Sequence, residues 1–314
     1  MHLPDGFLAP QLALALWLVT GLIVALSLRR LAASDPASAS TGRPVLMGLV
    51  GAFIFAAQMF NFPVATGTSG HLLGGVLAGA LLGPWAGTVV MVTVIGVQAV
   101  LFQDGGLLAL GANAFNMGII GTLGGTLISR AVALAFGSGR AARIAAAGLA
   151  GWLSVVAGAG ITTLQLGLSG TTDVSIGLPA MLSVHALIGV GEAAITISAL
   201  AFIARTAPDL LDDQVRPAAT TMRRIVTGAG AALLVAALAA LFASSDPDGL
   251  NRVAAALGFS GLESQAPIDL FAGYSLPGLD GAASTVAAAI IGIGVVAGLV
   301  VALSRLAASR RGDR

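Results

Sequence analysis

The chain of 314 residues contains no cysteine and no lysine. Without cysteine it can form neither disulfides nor thiolate metal sites, and it has no thiol nucleophile. Charged residues make up only 9% of the chain and hydrophobic residues 57%, whereas a soluble domain has about 25% charged residues. The net charge of +1 gives no electrostatic basis for binding nucleic acid. We therefore predict an integral membrane protein, in contact with lipid and without a nucleic-acid partner.

Motifs for ATP binding and for hydrolysis are also missing. The sequence has no P-loop, so any energy from ATP must come from another chain. It has no H-E-x-x-H zinc motif, and Ser183, His185 and Glu192 lack a G-x-S-x-G context. The sequence therefore gives little support for enzymatic activity. Two alternatives stay open: an intramembrane metal-dependent hydrolase that uses His185 and Glu192, and a metal-free scaffold subunit of a membrane complex.

Nine apolar segments are long enough to span, or nearly span, a hydrocarbon core of about 30 Å. They are Phe7–Leu28, Val45–Phe60, Leu72–Leu82, Gly87–Phe102, Leu107–Ile128, Ile144–Leu166, Leu178–Ile203, Ile225–Phe242 and Ala282–Leu303. The third is too short to cross alone, and Pro84 marks its end. We therefore predict an all-α polytopic membrane protein with about nine transmembrane segments.

The arginines predict the orientation. If the amino terminus is outside and the spans alternate, every one of the 15 arginines except Arg252 is cytoplasmic. The opposite orientation would violate the positive-inside rule. We therefore expect an extracytoplasmic amino terminus and a cytoplasmic carboxyl terminus, in the cytoplasmic (inner) membrane of a bacterium or archaeon.

The distribution of apolar segments, prolines and charged residues predicts three parts of the chain. Residues 1–205 form a membrane domain of about seven spans, residues 206–220 a cytoplasmic linker with prolines and aspartates, and residues 221–314 a two-span domain. The two-span domain carries an external loop, residues 244–281, with a short helix near Asn251–Leu257. Pro4-Asp5-Gly6 and Pro247-Asp248-Gly249 share a turn signature.

The amino terminus carries the strongest chemical signal. The amine of Met1, the backbone nitrogen of His2 and the Nδ1 atom of His2 can close two adjacent chelate rings around one metal ion. A fourth nitrogen would complete a square plane, which is typical of Ni(II) or Cu(II). Because the start of the chain does not resemble a signal peptide, we expect the amine to be retained. His71, predicted on the same side of the membrane, is the natural fourth ligand.

Other polar residues are candidates for supporting roles or for an ion pathway. The loop before His71 runs from Asn61 through Thr66, Thr68 and Ser69, whose hydroxyls could bind the second nitrogen of an imidazole. His185 and Glu192 are seven residues apart on one face of the seventh span. Ionisable groups inside a span mark either a pathway or a buried hydrogen bond that positions helices. Such buried hydrogen bonds between helices could also be formed by five amide side chains: Gln58, Gln98, Asn113, Asn116 and Gln165.

Three motifs resemble those of one transporter family. Met1-His2-Leu3-Pro4-Asp5-Gly6-Phe7-Leu8, Thr68-Ser69-Gly70-His71-Leu72-Leu73-Gly74-Gly75 and His185-Ala186-Leu187-Ile188-Gly189-Val190-Gly191-Glu192 are similar to motifs of the CbiM/NikM family. Members of that family are the substrate-specific membrane components of energy-coupling-factor transporters for cobalt and nickel. The resemblance covers roughly residues 1–205. Residues 221–314 resemble the small accessory subunit of these systems, although Asn251 follows Pro247-Asp248-Gly249-Leu250 where that subunit has glutamate.

The resemblance implies a function and a metal site. The metal is held by the Met1 amine, the backbone nitrogen and imidazole of His2, and the imidazole of His71. The chain would bind Ni²⁺ or Co²⁺ as its transported substrate, with no organic cofactor. A transmembrane coupling protein and cytoplasmic ATPase subunits would be its partners. Gly48, Ala52 and Ala56 form a small-residue stripe that could dock such a partner or pack within the chain.

Overall fold

The computed structural model describes residues 1–33, 42–65, 67–137, 139–211, 222–264 and 270–309. These residues are mainly helical. In chain order the helices are α1 (Pro10–Ala33), α2 (Arg43–Gln58), α3 (Gly75–Leu82), α4 (Pro84–Phe102), α5 (Leu110–Phe136, with a π-helical stretch Ala114–Gly124), α6 (Arg140–Leu168), α7 (Val174–Thr206), α8 (Met222–Phe242), α9 (Gly249–Leu257) and α10 (Gly281–Ser309). Two short antiparallel strands, β1 (Phe62–Ala65) and β2 (Thr68–Gly70), lie between α2 and α3.

Each apolar segment expected from the sequence contains a helix. Within the described residues, seven helices are long and apolar enough to cross a membrane: α1, α4, α5, α6, α7, α8 and α10. Helix α2 has 16 residues and α3 has 8, so the third segment is too short to cross alone, as expected. The chain is thus a mainly helical, multi-pass membrane protein.

Glycine sets the path of α3. Gly83 has φ 80°, which ends the helix, and Pro84 begins α4 because its missing N–H is not needed in the first helical turn. A Cβ at Gly75 would lie 2.6 Å from the Cα of Gly121 in α5. The two backbones therefore meet without an intervening side chain, the close approach that small residues permit between membrane helices.

The two-span unit packs against the first part of the chain through α2. A Cβ at Gly48 would lie 3.2 Å from the Ala297 carbonyl oxygen of α10, and one at Gly292 would collide with the ring of Phe55. Ala52 and Ala56 are buried. The stripe on α2 is therefore used for packing within the chain.

The connection between the two units is described only in part. Residues 212–220 of the predicted linker, and Thr221 after it, lie outside the described residues. Pro208–Leu211 forms a single 3₁₀ turn. Across the connection, Arg224 Nη2 lies 2.7 Å from Asp209 Oδ2.

The loops that precede α1, α3 and α9 meet at one end of the bundle. Helix α9 contains the short helix expected at Asn251–Leu257. Next to it, Ser69 of β2 pairs in parallel with Asp248. This pairing brings the segment before α9 against the amino terminus and His71.

Candidate metal centre

The amino-terminal residues are inserted into the end of the bundle. The amide of Leu3 donates to Asn113 Oδ1 at 2.8 Å, and Asn113 Nδ2 donates to the Leu3 carbonyl at 2.9 Å. Leu3 has no exposed surface. This paired hydrogen bond fixes the backbone directly after His2, in the way that a neighbouring strand would. Asn113 therefore positions the terminus, a specific form of the buried bond expected for it.

The turn at Pro4-Asp5-Gly6 holds the terminus in place from the other side. The Asp5 carboxylate accepts the amides of Leu107 and Ala109, both at 3.0 Å. Gly6 has φ 93°, a conformation that glycine adopts without strain. The chain can therefore reverse at Gly6 and enter α1.

The Met1 amine lies between a histidine and a carboxylate. Its nitrogen is 3.3 Å from His71 Nε2 and 2.6 Å from Asp248 Oδ2. His71 Nδ1 is 2.9 Å from the Leu72 carbonyl oxygen. Because a carbonyl can only accept, Nδ1 carries the proton and Nε2 presents its lone pair to the amine. His71 is thus oriented with its free nitrogen toward Met1.

The His2 ring completes the cluster. Its centroid is 5.2 Å from that of His71, with 42° between the ring planes. The His2 side chain is buried, yet neither ring nitrogen has a hydrogen-bond partner among the described residues. Asp104 Oδ1 lies 3.6 Å from His2 Nδ1. A buried imidazole without a partner is costly unless it binds something else, and a metal ion would supply that partner.

Both imidazoles are electrically neutral in this environment. Burial, followed by the neighbouring Met1 ammonium and His2, lowers the pKa of His71 to about 3. Burial also lowers the pKa of His2, although Asp104 opposes the shift. For Asp248, burial favours the neutral acid, but the Met1 ammonium outweighs it and lowers the pKa below its usual range. The site therefore holds two neutral imidazoles, the form that binds metals, beside an ionised carboxylate.

Glu192 supports the loop that follows His71. Its Oε2 accepts the amide of Leu73 at 2.5 Å and its Oε1 accepts that of Gly74 at 3.0 Å. The side chain has no exposed surface. Both oxygens therefore bind the backbone that positions His71. This arrangement favours the positioning role over the hydrolase alternative.

His185, in α7, lies next to the beginning of α9 in the two-span unit. Its Nδ1 donates to the Met181 carbonyl at 2.8 Å, while its Nε2 has no hydrogen-bond partner among the described residues. A Cβ added at Gly249 would lie 2.9 Å from His185 Cε1. The helix α7 thus packs directly against the first residue of α9. Neither ring nitrogen of His185 is hydrogen-bonded to Met1, His2 or His71.

The remaining loop candidates have other contacts. The Ser69 hydroxyl donates to the Asp246 carbonyl at 2.7 Å, and the Asn61 carbonyl accepts the Ser244 amide at 2.8 Å. Thr68 is buried in β2, and Thr66 lies outside the described residues. The second nitrogen of His71 binds the Leu72 carbonyl and not one of these hydroxyls. The supporting bond expected from a hydroxyl is therefore supplied by the backbone.

Three residues close to the site were not among the sequence candidates. These are Asp248, Asp104 and Tyr274, whose hydroxyl donates to Asp104 Oδ2 at 2.6 Å. The repeated Pro-Asp-Gly signature was a signal for Asp248. Within the described residues, no group of three or more His, Cys, Asp or Glu side chains has the arrangement of a metal site. A four-nitrogen site here thus depends on the main-chain nitrogens of Met1 and His2.

Comparison with known proteins identifies two sequence families in the chain. Residues 2–210 match the family described as cobalt uptake substrate-specific transmembrane region, and residues 222–309 match the PDGLE domain. A crystal structure of a transition metal transporter superposes with a TM-score of 0.57 at 29% identity, covering 66% of this chain and 93% of that one.

Several curated relatives have the same fused organisation. A fused NikMN-type protein of Archaeoglobus fulgidus is 37% identical over 309 residues, which is 98% of this chain and 99% of that protein. The fused nickel transport protein NikMN of Rhodobacter capsulatus is 31% identical over 260 residues, or 78% and 74% of the two chains. The cobalt transport protein CbiM of Salmonella typhimurium is 38% identical over 134 residues, or 41% and 51%. The chain therefore belongs to the CbiM family of nickel and cobalt transport proteins, in the form that is fused to a PDGLE domain.

Proposed function

We propose that this protein binds Ni²⁺ or Co²⁺ at the external end of its bundle and delivers the ion inward as the substrate-specific component of an ATP-driven energy-coupling-factor transporter. The ligands are the Met1 amine, the backbone nitrogen and Nδ1 of His2, and Nε2 of His71. Four nitrogen donors suit a late divalent transition metal.

One observation carries the proposal. The Met1 nitrogen is 3.3 Å from His71 Nε2, and the unpartnered His2 ring is adjacent to both. A frayed terminus would be solvated, yet Met1 and His2 are buried here. The amine, the His2 amide and the His2 ring belong to consecutive residues, so they can act together as one chelating unit.

The energy source is assigned to other chains. The sequence has no P-loop, so ATP hydrolysis belongs to cytoplasmic ATPase subunits, reached through a transmembrane coupling protein. Uptake of radioactive nickel into cells should therefore require those partners, whereas metal binding by the purified chain should not. Nickel uptake that stays unchanged when the ATPase subunits are deleted would contradict the coupled mechanism.

Metal binding tests the site directly. Calorimetric titration of the detergent-purified chain with Ni²⁺, Co²⁺, Cu²⁺ and Zn²⁺ should give one bound ion for a four-nitrogen donor set. His2→Ala, His71→Ala and one residue added before Met1 should each abolish binding, since each removes or displaces a donor. One residue added after Arg314 is the matched control. Intact mass should also show an unblocked Met1.

Two outcomes would decide against the proposal. An amino-terminal extension with unchanged affinity would exclude the amine as a ligand. Purified protein without a stoichiometric transition metal, after growth with nickel and cobalt, would favour the scaffold alternative. The hydrolase alternative predicts instead that Glu192→Gln abolishes turnover of a substrate while the extension is harmless.

A further inference from the structure

The Asp248 carboxylate belongs to the two-span unit, residues 222–309, which is called the accessory unit from here on. It nevertheless contacts the proposed metal site. Its Oδ2 accepts the Met1 amine at 2.6 Å, and its Oδ1 accepts the amide of Asn251 at 2.8 Å. The Met1 side chain is 1% exposed and the Asp248 side chain is 14% exposed. This is a largely buried ion pair between residues separated by most of the sequence.

The position of Asp248 is fixed by contacts other than the amine. The Ser69 amide donates to the Pro247 carbonyl at 2.9 Å, and the Ser69 hydroxyl donates to the Asp246 carbonyl at 2.7 Å. Asp248 also caps the amino terminus of α9 through Oδ1. The backbone around Asp248 therefore holds its carboxylate in place. Asp248 pairs with Ser69 of β2, which is two residues before His71.

Charge requires an anion at this position both before and after metal binding. Without metal, the Met1 ammonium is positive and Asp248 neutralises it. With a divalent ion bound, the site is again positive, even if the His2 amide loses its proton. A buried positive charge needs a partner. Of the two nearby carboxylates, Asp104 faces the His2 ring and accepts the Tyr274 hydroxyl, so the amine depends on Asp248.

We propose that Asp248 is part of the substrate site, as the anionic partner of the metal-bound Met1 amine, so that the accessory unit supplies the counter-charge that retains the ion. A coordinated amine keeps N–H groups that can donate to the carboxylate. The metal site is thereby shared between the two units of the chain. This inference rests on the four-nitrogen site proposed above.

The dissociation rate of the metal is the appropriate readout. Equilibrium affinity mixes two effects of Asp248, because the carboxylate stabilises both the ammonium before binding and the metal complex after it. Dissociation starts from the loaded state. Loss of the counter-charge should therefore raise the dissociation rate, whatever it does to the unloaded protein.

The experiment uses the full chain loaded with Ni²⁺ in detergent. Excess EDTA is added, and loss of the absorbance of protein-bound nickel is followed by stopped flow. Asp248→Asn keeps the shape and the helix cap and removes the charge. We expect dissociation to accelerate roughly 10- to 100-fold, the range by which metal affinity falls when a hydrogen-bonded partner of a metal ligand is lost. Asp246→Asn is the matched control, since Asp246 is exposed and its carboxylate accepts only the nearby Ser244 hydroxyl among the described residues.

Asp248→Glu keeps the negative charge and should dissociate more slowly than Asp248→Asn. This comparison separates loss of charge from damage to the accessory unit. Dissociation from Asp248→Asn within twofold of wild type would overturn the inference, as would an equal acceleration in Asp246→Asn or in Asp248→Glu. Wild-type protein that takes up no nickel would instead overturn the proposed function itself.

Discussion

Pro4-Asp5-Gly6 and Pro247-Asp248-Gly249 have the same three residues and lie at the same end of the bundle, but their aspartates have different partners. Asp5 accepts two backbone amides, from Leu107 and Ala109. Asp248 accepts one backbone amide and the charged amine of Met1. The first turn holds the terminus by hydrogen bonds to backbone amides, whereas the second holds it by an ion pair with the terminal amine.

The glycines of the two turns also differ, in the backbone structure that they form. Gly6 has φ 93° and reverses the chain, whereas Gly249 is the first residue of α9 and follows an aspartate that caps the helix. The tripeptide thus supplies a carboxylate beside a flexible backbone position. Which groups that carboxylate binds depends on what the rest of the chain brings next to it.

The largest effect is expected from removing the first carboxylate. Asp5→Ala leaves the partly buried amide of Leu107 and the buried amide of Ala109 without their acceptor, and the loss at a buried amide costs about 1–3 kcal/mol. We expect a clear drop in the thermal unfolding midpoint and a weakened nickel affinity, because the Met1-His2 chelate is no longer held in place. Asp173→Asn, at an exposed helix cap, is the control. Wild-type stability and affinity in Asp5→Ala would show that the first turn does not hold the terminus.

A smaller effect separates the two glycines. A Cβ at Gly6 would collide with the Leu262 carbonyl oxygen, and the positive φ adds strain of about 1–3 kcal/mol. A Cβ at Gly249 meets side chains of α7, which can adjust more easily than backbone. Gly6→Ala should therefore lower the unfolding midpoint more than Gly249→Ala. Gly261→Ala, where nothing lies within 4 Å, should change it least; the reverse order would contradict this assignment.

The number of protons released on nickel binding tests whether the His2 and His71 rings are neutral before the metal binds. Burial lowers the pKa of His71 to about 3, so this ring stays neutral at pH 6. Burial also lowers the pKa of His2, so at any pH this ring is less protonated than an ordinary imidazole. The two rings should then add few protons to those released on binding. An ordinary imidazole, with a pKa of about 6.5, would be mostly protonated at pH 6.

Calorimetry in buffers of different ionisation enthalpy measures this release. Two ordinary imidazoles would add more than one released proton between pH 7.5 and pH 6, and the increase should be clearly smaller than that. A rise of that size at pH 6 would show that the rings titrate normally and are not buried as described.

The smallest effect is expected at Asn251, where the chain departs from the accessory family. Its backbone amide, and not its side chain, binds Asp248, and the side chain is exposed. Asn251→Glu should leave metal dissociation unchanged. It should stabilise α9 by a few tenths of a kcal/mol, because glutamate at this position completes a capping box near the positive helix end. A change in the dissociation rate would show that the side chain reaches the site.

Much of the membrane architecture could be predicted from the sequence. Apolar segments become helices because an unpaired backbone amide is costly in lipid, and a helix pairs its own amides locally. The short third segment was likewise predictable, since Gly83 and Pro84 end α3 through their own backbone preferences. The π-helical stretch Ala114–Gly124, which contacts α3 at Gly121, was not predicted from the sequence.

The sequence by itself determined the donors of the candidate site: consecutive main-chain nitrogens at Met1 and His2, and one further imidazole at His71. Chelate geometry depends on neighbouring covalent bonds, so it can be read from adjacent residues. Only the tertiary structure decided that Glu192 holds the loop after His71 and that Asp248 reaches the amine of Met1. Those partners are distant in the chain, and buried polar groups take whichever partners the packed helices bring within hydrogen-bond distance.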